Sequence, residues 1–237
     1  MIKLFHQDNM EFDIMELEIP WCDLVLADYI YENKDFSWAE RYWNMLRPNG
    51  VMIAITDYHS SAEYKKFVDG LPEANFVNWL IWKNEWGNHG KKQFAQVHDD
   101  IIIFSKGKDF RFNPDRAQVK KVTASAKGLN PSGRMTKVAT SVITDITLTT
   151  GAKERIKDSS GKLVRWQKPI ELLRRITKPF LVDGDLVVDP FMGVGSMGQV
   201  CAEERWHYVG IEYDKKPFKL AQKRLKKSLN DKEYIPF

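Results

Sequence analysis

Short apolar runs bounded by turn residues alternate along the chain with segments whose apolar positions recur at helical spacing. That alternation predicts strands and helices in succession, packed as helices on a sheet. Ile2-Lys3-Leu4-Phe5-His6 predicts a short strand that delivers Gln7-Asp8-Asn9 at its end, and Asp23-Leu24-Val25-Leu26-Ala27 predicts a compact buried strand ending at Asp28-Tyr29-Ile30-Tyr31. Ser37 to Leu46 predicts an amphipathic helix stopped by Arg47-Pro48-Asn49-Gly50. An apolar strand from Val51 to Thr56 and a helix from Ser60 to Gly70, capped by Ser60 or Ser61, follow. Two βα units in a row argue for a mostly parallel sheet, in which ligands gather outside the carboxyl ends of the strands.

Phe76 to Trp82 and Asp100 to Ser105 predict two more strands, joined by a loop from Lys83 to Asp99 that carries Trp86, His89, Lys91 and Lys92. From Lys106 to Lys137 the regular pattern fades while Arg111, Arg116, Lys120, Lys121, Lys127, Arg134 and Lys137 accumulate. A basic, loop-rich insertion on an α/β core suits a phosphate backbone, and is otherwise a solvated segment. Ser141 to Leu148 predicts a strand and Gly151 to Lys162 a polar loop. Gln167-Lys168-Pro169 opens an apolar-faced helix through Ile170, Leu173, Ile176 and Phe180, with the proline in the first turn where its missing N–H costs nothing. A lysine-rich amphipathic helix spans Asp214 to Leu229.

The chemistry concentrates at Asp189-Pro190-Phe191-Met192-Gly193-Val194-Gly195-Ser196-Met197-Gly198, between a strand over Gly184 to Val188 and a helix over Gln199 to Arg205. Glycines at a strand-to-helix turn let a ligand approach the main chain, and the helix start leaves backbone amides unpaired. The next strand, His207 to Ile211, ends in Glu212, at a distance from Gly193 that suits a βαβ unit whose carboxylate takes ribose hydroxyls. Gly193, Gly195 and Gly198 spell a dinucleotide fingerprint, but Asp189 sets a carboxylate where pyrophosphate would approach. A cationic ligand without phosphate fits better.

At 237 residues the chain suits one α/β core plus an insertion, and its net charge of +4 permits nucleic-acid binding without requiring it. Cys22 and Cys201 lie in apolar segments and match no metal-ligand spacing, so buried thiols in a reducing compartment are expected. His89 and His98 share no ligand partners, and no metal is expected. No apolar run approaches the roughly 18 residues that span a bilayer, so a cytoplasmic protein without a membrane partner is expected.

These segments, in this order, resemble the amino-methylating DNA methyltransferases of the permuted beta arrangement. The resemblance rests on Asp8, Asp23 to Tyr31, Leu46 to Gly50, Gln167-Lys168-Pro169, Asp189 to Ser196 (close to the family's DPFxGxG pattern) and Gly210-Ile211-Glu212. It implies a circularly permuted, Rossmann-like methyltransferase sheet: a catalytic half over 1–82, two core strands with a small target-recognition insertion over 83–165, and a cofactor-binding half over 166–237. It further implies S-adenosylmethionine as cofactor, with Phe191, Gly193, Gly195 and Ser196 on its methionine side, Glu212 on the ribose and Asp8 on the adenine edge. Lys168 and Pro169 would form the rim, and Asp28, Asp189 and Met192 would complete the pocket.

The family's catalytic Asp-Pro-Pro-Tyr stands here as Asp28-Tyr29-Ile30-Tyr31, with both chemically active ends kept and both prolines replaced. The resemblance makes the Asp28 carboxylate and the Tyr29 carbonyl acceptors for a base amine, and Tyr31 the ring that stacks on it. Asp at the first position implies adenine, where cytosine-amine relatives more often carry Ser. The expected partner is double-stranded DNA, bound through Lys91, Lys92 and the cations of the insertion; the small recognition segment fits a short target or a homodimer. Cytosine-amine or RNA methylation, a catalytically silent DNA-binding protein and a nicotinamide-dependent oxidoreductase are the competing readings.

Overall fold

A computed structural model describes residues 1–13, 15, 20–29, 34–84, 91–92, 94–120, 136–148, 154–158, 160–164 and 167–228. Its centre is an eight-stranded sheet. The strands are β1 (Ile2–His6), β2 (Cys22–Asp28), β3 (Leu46–Thr56), β4 (Ala74–Lys83), β5 (His98–Lys106), β8 (Val142–Ile143), β9 (Leu186–Asp189) and β10 (His207–Glu212), in the spatial order β1-β10-β9-β2-β3-β5-β4-β8. Pairing is parallel from β1 through β3, and β5 alone runs antiparallel to its neighbours.

The strands are apolar because both faces are covered. Leu24 and Leu26 of β2 pack on one face with α3 (Ile170–Thr177), α4 (Ser196–Glu204) and α5 (Lys215–Ser228). Val25 and Ala27 turn to the other face, against α1 (Ser37–Met45) and α2 (Ser61–Asp69). α1 alone buries Trp38, Tyr42 and Trp43, and each such side chain removed from water contributes roughly 2–3 kcal/mol before entropy is counted. Cys22 and Cys201 are free buried thiols, and burial raises both above their ordinary range.

Four expectations need correction. Arg47-Pro48-Asn49-Gly50 does not separate helix from strand. It is a bulge inside β3: Cys22 pairs with Leu46 and Leu24 already with Val51. Ion pairing of Arg47 with Asp23 at 2.8 Å, and the Asp109 N–H donating to Asn49 Oδ1 at 3.1 Å, hold it there. α2 is capped not by a serine side chain but by Asp57, whose Oδ1 accepts the Ser60 N–H at 3.1 Å. The strand expected over Ser141 to Leu148 shrinks to β8, beyond which Ile146 spends its carbonyl on Trp82 Nε1 at 3.0 Å. Finally, the insertion is not patternless: Gln118–Lys120 (β6) and Thr136–Val138 (β7) form a separate antiparallel pair.

Candidate active site

From β9 the chain crosses through α4 to β10 on one side, and from β2 through α1 to β3 on the other. At such a divergence the loops leave a crevice above the carboxyl ends of the strands. Here that crevice is a cavity of about 570 Å³, on the scale of a small-molecule site. Four adjacent parallel strands β1, β10, β9 and β2 each end at or just before a carboxylate that lines it: Asp8, Glu212, Asp189 and Asp28.

Asp189 is buried, accepting the Tyr208 hydroxyl at 3.0 Å and the Phe191 N–H at 3.2 Å. Burial pushes its carboxyl up to about 8, Asp28 and Glu212 adding to the rise. Between its ordinary value near 4 and about 8 the folded chain therefore keeps a proton that the unfolded chain releases. The stability this group contributes is full below that window and is lost as pH rises through about 8. Burial also raises Glu212, which accepts the Gly193 N–H at 2.9 Å and the Asp214 N–H at 2.7 Å.

The glycine turn divides by function. Gly193 has φ +52°, and a Cβ there would meet nothing within 4 Å, so its open side faces the cavity that it lines. Gly195 does not line the cavity: at φ +74° it lets α5 approach, Ala221 Cβ standing 3.1 Å from where its own Cβ would be. Gly198 likewise packs, a Cβ there falling 2.8 Å from both Leu225 and Tyr208. Phe191, Met192 and Ser196 line the cavity beside Gly193. Ser196 also opens α4, whose unpaired amides bring partial positive charge to that wall.

Asp28 closes β2, and its Oδ1 accepts Lys168 Nζ at 2.8 Å across 140 residues of chain. Pro169 stands behind this lysine as the N-cap residue of α3 and does not line the cavity. Tyr29 is buried, its hydroxyl 2.6 Å from Thr56 Oγ1, its ring against Phe36, Trp38, Tyr64 and Phe191. Burial raises its phenol to about 12, so it stays neutral. The residue after Asp28 is thus held by a hydroxyl hydrogen bond and an aromatic cluster. Tyr31 lies outside the described residues.

The expected DNA-binding cations separate into groups. Lys91 and Lys92 are exposed in the β4–β5 connection, which leaves the sheet at the cavity end. Lys120 and Lys137 are exposed on β6 and β7. Arg111 and Arg116 are not brought to the cavity. Arg111 pairs with Asp185, just before β9 starts, and Arg116 with Glu204 at the end of α4, 3.8 Å away. Both therefore sit toward the opposite edge of the sheet, engaged with the core. Lys121, Lys127 and Arg134 lie outside the described residues.

Sequence reasoning passed over Trp38, Asp35 and Tyr213, which also line the cavity. Only Tyr213, an exposed aromatic directly after Glu212, carried a local signal.

The cavity suits the cofactor implied by the resemblance. Its acidic side chains outnumber the Lys168 ammonium, which favours a cation; Glu212 offers acceptor oxygens at the carboxyl end of β10; Gly193 leaves room for close approach; and the α4 start brings partial positive charge to one wall. A largely parallel sheet with this acidic crevice at its switch point defines a Rossmann-like α/β protein. Comparison with known proteins narrows the class. A DNA methylase profile covering adenine-N6 and cytosine-N4 enzymes matches residues 29–223, and the chain belongs to that family.

Among curated relatives, the type II methyltransferase M.HinfI of Haemophilus influenzae is 30% identical over 192 residues, covering 80% of this chain and 50% of M.HinfI. M.HpaI of Haemophilus parainfluenzae is 25% identical over 198 residues, covering 81% of this chain and 59% of M.HpaI. The chain thus spans between half and three fifths of the length of these relatives. The crystal structure of M1.HpyAVI superposes with a TM-score of 0.70 at 20% identity, covering 95% of this chain and 98% of that one. The cytosine-N4-specific PvuII DNA methyltransferase gives 0.63 at 12% identity, covering 96% and 90%. Both likenesses are of fold.

Proposed function

We propose that this protein transfers a methyl group from S-adenosylmethionine to the exocyclic amine of adenine in double-stranded DNA. The observation that carries the reading is the meeting of Asp28 and the anchored Tyr29 at the carboxyl end of β2 with the acidic cavity at the β9/β2 switch point. S-adenosylmethionine, when bound, supplies an electrophilic methyl group on a positively charged sulfur. An exocyclic amine is a poor nucleophile because its lone pair is delocalised into the ring. The Asp28 carboxylate and the Tyr29 carbonyl accept hydrogen bonds from its two N–H groups and favour a pyramidal nitrogen whose lone pair points into the cavity, so acceleration comes from positioning and preorganised charge. The proton the nitrogen sheds is already hydrogen-bonded to Asp28.

The base reaches this position only when rotated out of the duplex. Tyr31, by the resemblance, stacks on it, and of the cations expected to meet the DNA backbone Lys91, Lys92, Lys120 and Lys137 are exposed. Such an enzyme works in the cytoplasm. Transfer of labelled methyl groups to mixed-sequence duplex DNA, followed by nucleoside analysis, tests the reading. N6-methyladenine supports it; N4-methylcytosine replaces adenine with the family's other target; no incorporation despite cofactor binding makes the chain a silent DNA-binding relative.

Two further outcomes are expected. Because a sulfonium favours an ionised Asp189, cofactor affinity should rise as pH increases through about 8, by roughly ten-fold from neutrality to two units above. Titration calorimetry in buffers of different ionisation enthalpy should show proton release at neutral pH, and a pH-independent affinity would remove Asp189 from the cofactor. Tyr29→Phe deletes the hydroxyl held by Thr56 and should cost about 1–2 kcal/mol of stability, read as a melting temperature lower by several degrees. Its transfer rate should fall about ten-fold with cofactor affinity unchanged, whereas an unaltered rate would show that the anchor does not hold the catalytic loop.

A further inference from the structure

Lys168 lies between two carboxylates from strands that are not neighbours. Its Nζ donates to Asp28 Oδ1 at 2.8 Å and stands 3.8 Å from Asp99 Oδ2. Asp28 ends β2, Asp99 is the second residue of β5, and β3 runs between them, so the lysine bridges across the carboxyl end of β3. Its side chain is only 6% exposed, and that of Asp99 15%. The other Asp99 oxygen accepts Asn84 Nδ2 at 3.1 Å, which fixes the carboxylate from behind. Burial raises Asp99 while the Lys168 ammonium pulls it back toward ionisation. Asp28 and Lys168 line the cavity; Asp99 does not.

An ammonium held by Asp28 alone would cancel its charge and blunt its pull on the protons of an incoming amine. A second carboxylate behind the ammonium divides that attraction, leaves the three groups with a net single negative charge, and stops the lysine from swinging away. We propose that Asp99 is a positioning residue that acts through Lys168, holding the Asp28 carboxylate in the orientation and net charge that receive the base amine. This rests on the reading of Asp28 given above.

The test uses the full chain as wild type, Asp99→Asn, Asp99→Glu, Lys168→Met and the double variant Asp99→Asn/Lys168→Met, each checked by thermal melting. The first readout needs neither cofactor nor DNA: reductive methylation of Lys168 by formaldehyde and cyanoborohydride, followed by peptide mass spectrometry. Removing one carboxylate loosens the hold on the Lys168 nitrogen and lets the reagent reach it, so Asp99→Asn should raise Lys168 labelling about five-fold. The second readout is single-turnover methyl transfer to duplex DNA. Asp99→Asn should slow it about ten-fold with the KM for cofactor and DNA within about three-fold, and Asp99→Glu should restore most of the rate. In the Lys168→Met background the same change should cost less than about two-fold, because a residue acting through Lys168 has nothing left to act on.

Unchanged labelling in Asp99→Asn, or losses that simply add in the double variant, would overturn the inference. A wild-type protein that methylates no DNA would instead overturn the reading of Asp28, with the labelling arm still deciding whether Asp99 governs Lys168.

Discussion

Asp28→Asn should abolish methyl transfer, by about 10³-fold or more, while cofactor affinity stays within about three-fold. Asparagine keeps the size of the side chain and an oxygen for Lys168 Nζ, now 2.8 Å from Asp28 Oδ1, but removes the charge that draws the protons of an amine. It also brings an NH₂ group that repels the amine protons. Asp28→Ala should be equally inactive but less stable than the asparagine variant, because it also removes the oxygen that accepts Lys168 Nζ, and a buried donor deprived of an acceptor costs about 1–3 kcal/mol. Single-turnover transfer, binding calorimetry and melting curves on the two variants separate these effects. An asparagine variant within about ten-fold of wild type would remove Asp28 from the chemistry.

Gly193→Val should lose cofactor affinity by about 30-fold or more and still fold. A Cβ at this position meets nothing within 4 Å beyond its chain neighbours, so the side chain starts in open space on the cavity wall. Its φ of +52° adds strain of about 1–2 kcal/mol for a β-branched residue, which a domain of ordinary stability survives. Gly210→Val supplies the contrast: its Cβ would fall 2.5 Å from Met192 Sδ and 2.7 Å from the Tyr208 ring, so that variant should fail to fold rather than fail to bind. If Gly193→Val bound S-adenosylmethionine within about three-fold of wild type, the cavity would not be the cofactor site.

The sequence by itself determined the elements and the chemistry at their ends. Strands buried on both faces must be continuous apolar runs, so β2, β9 and β10 were legible, and a carboxylate closing each run marks the sheet's carboxyl edge. Asp28, Asp189 and Glu212 could be placed at the crevice this way, because strand polarity is a local property. Local order also exposed the glycine turn, although GxGxxG spacing could not say which glycine faces a ligand. That depends on α5, whose Ala221 and Leu225 occupy the space over Gly195 and Gly198 and leave Gly193 open.

Tertiary structure alone decided the rest. Strand order set β9 beside β2, two strands that lie at opposite ends of the chain, and so built one crevice from both halves. The same pairing carried Lys168 to Asp28 and brought Asp99 within reach, contacts that no spacing encodes. Arg111 and Arg116 read as DNA-binding cations because charge is visible in a sequence and partners are not. Folding sets Asp185 and Glu204 against them, ion pairs that no spacing in the sequence encodes.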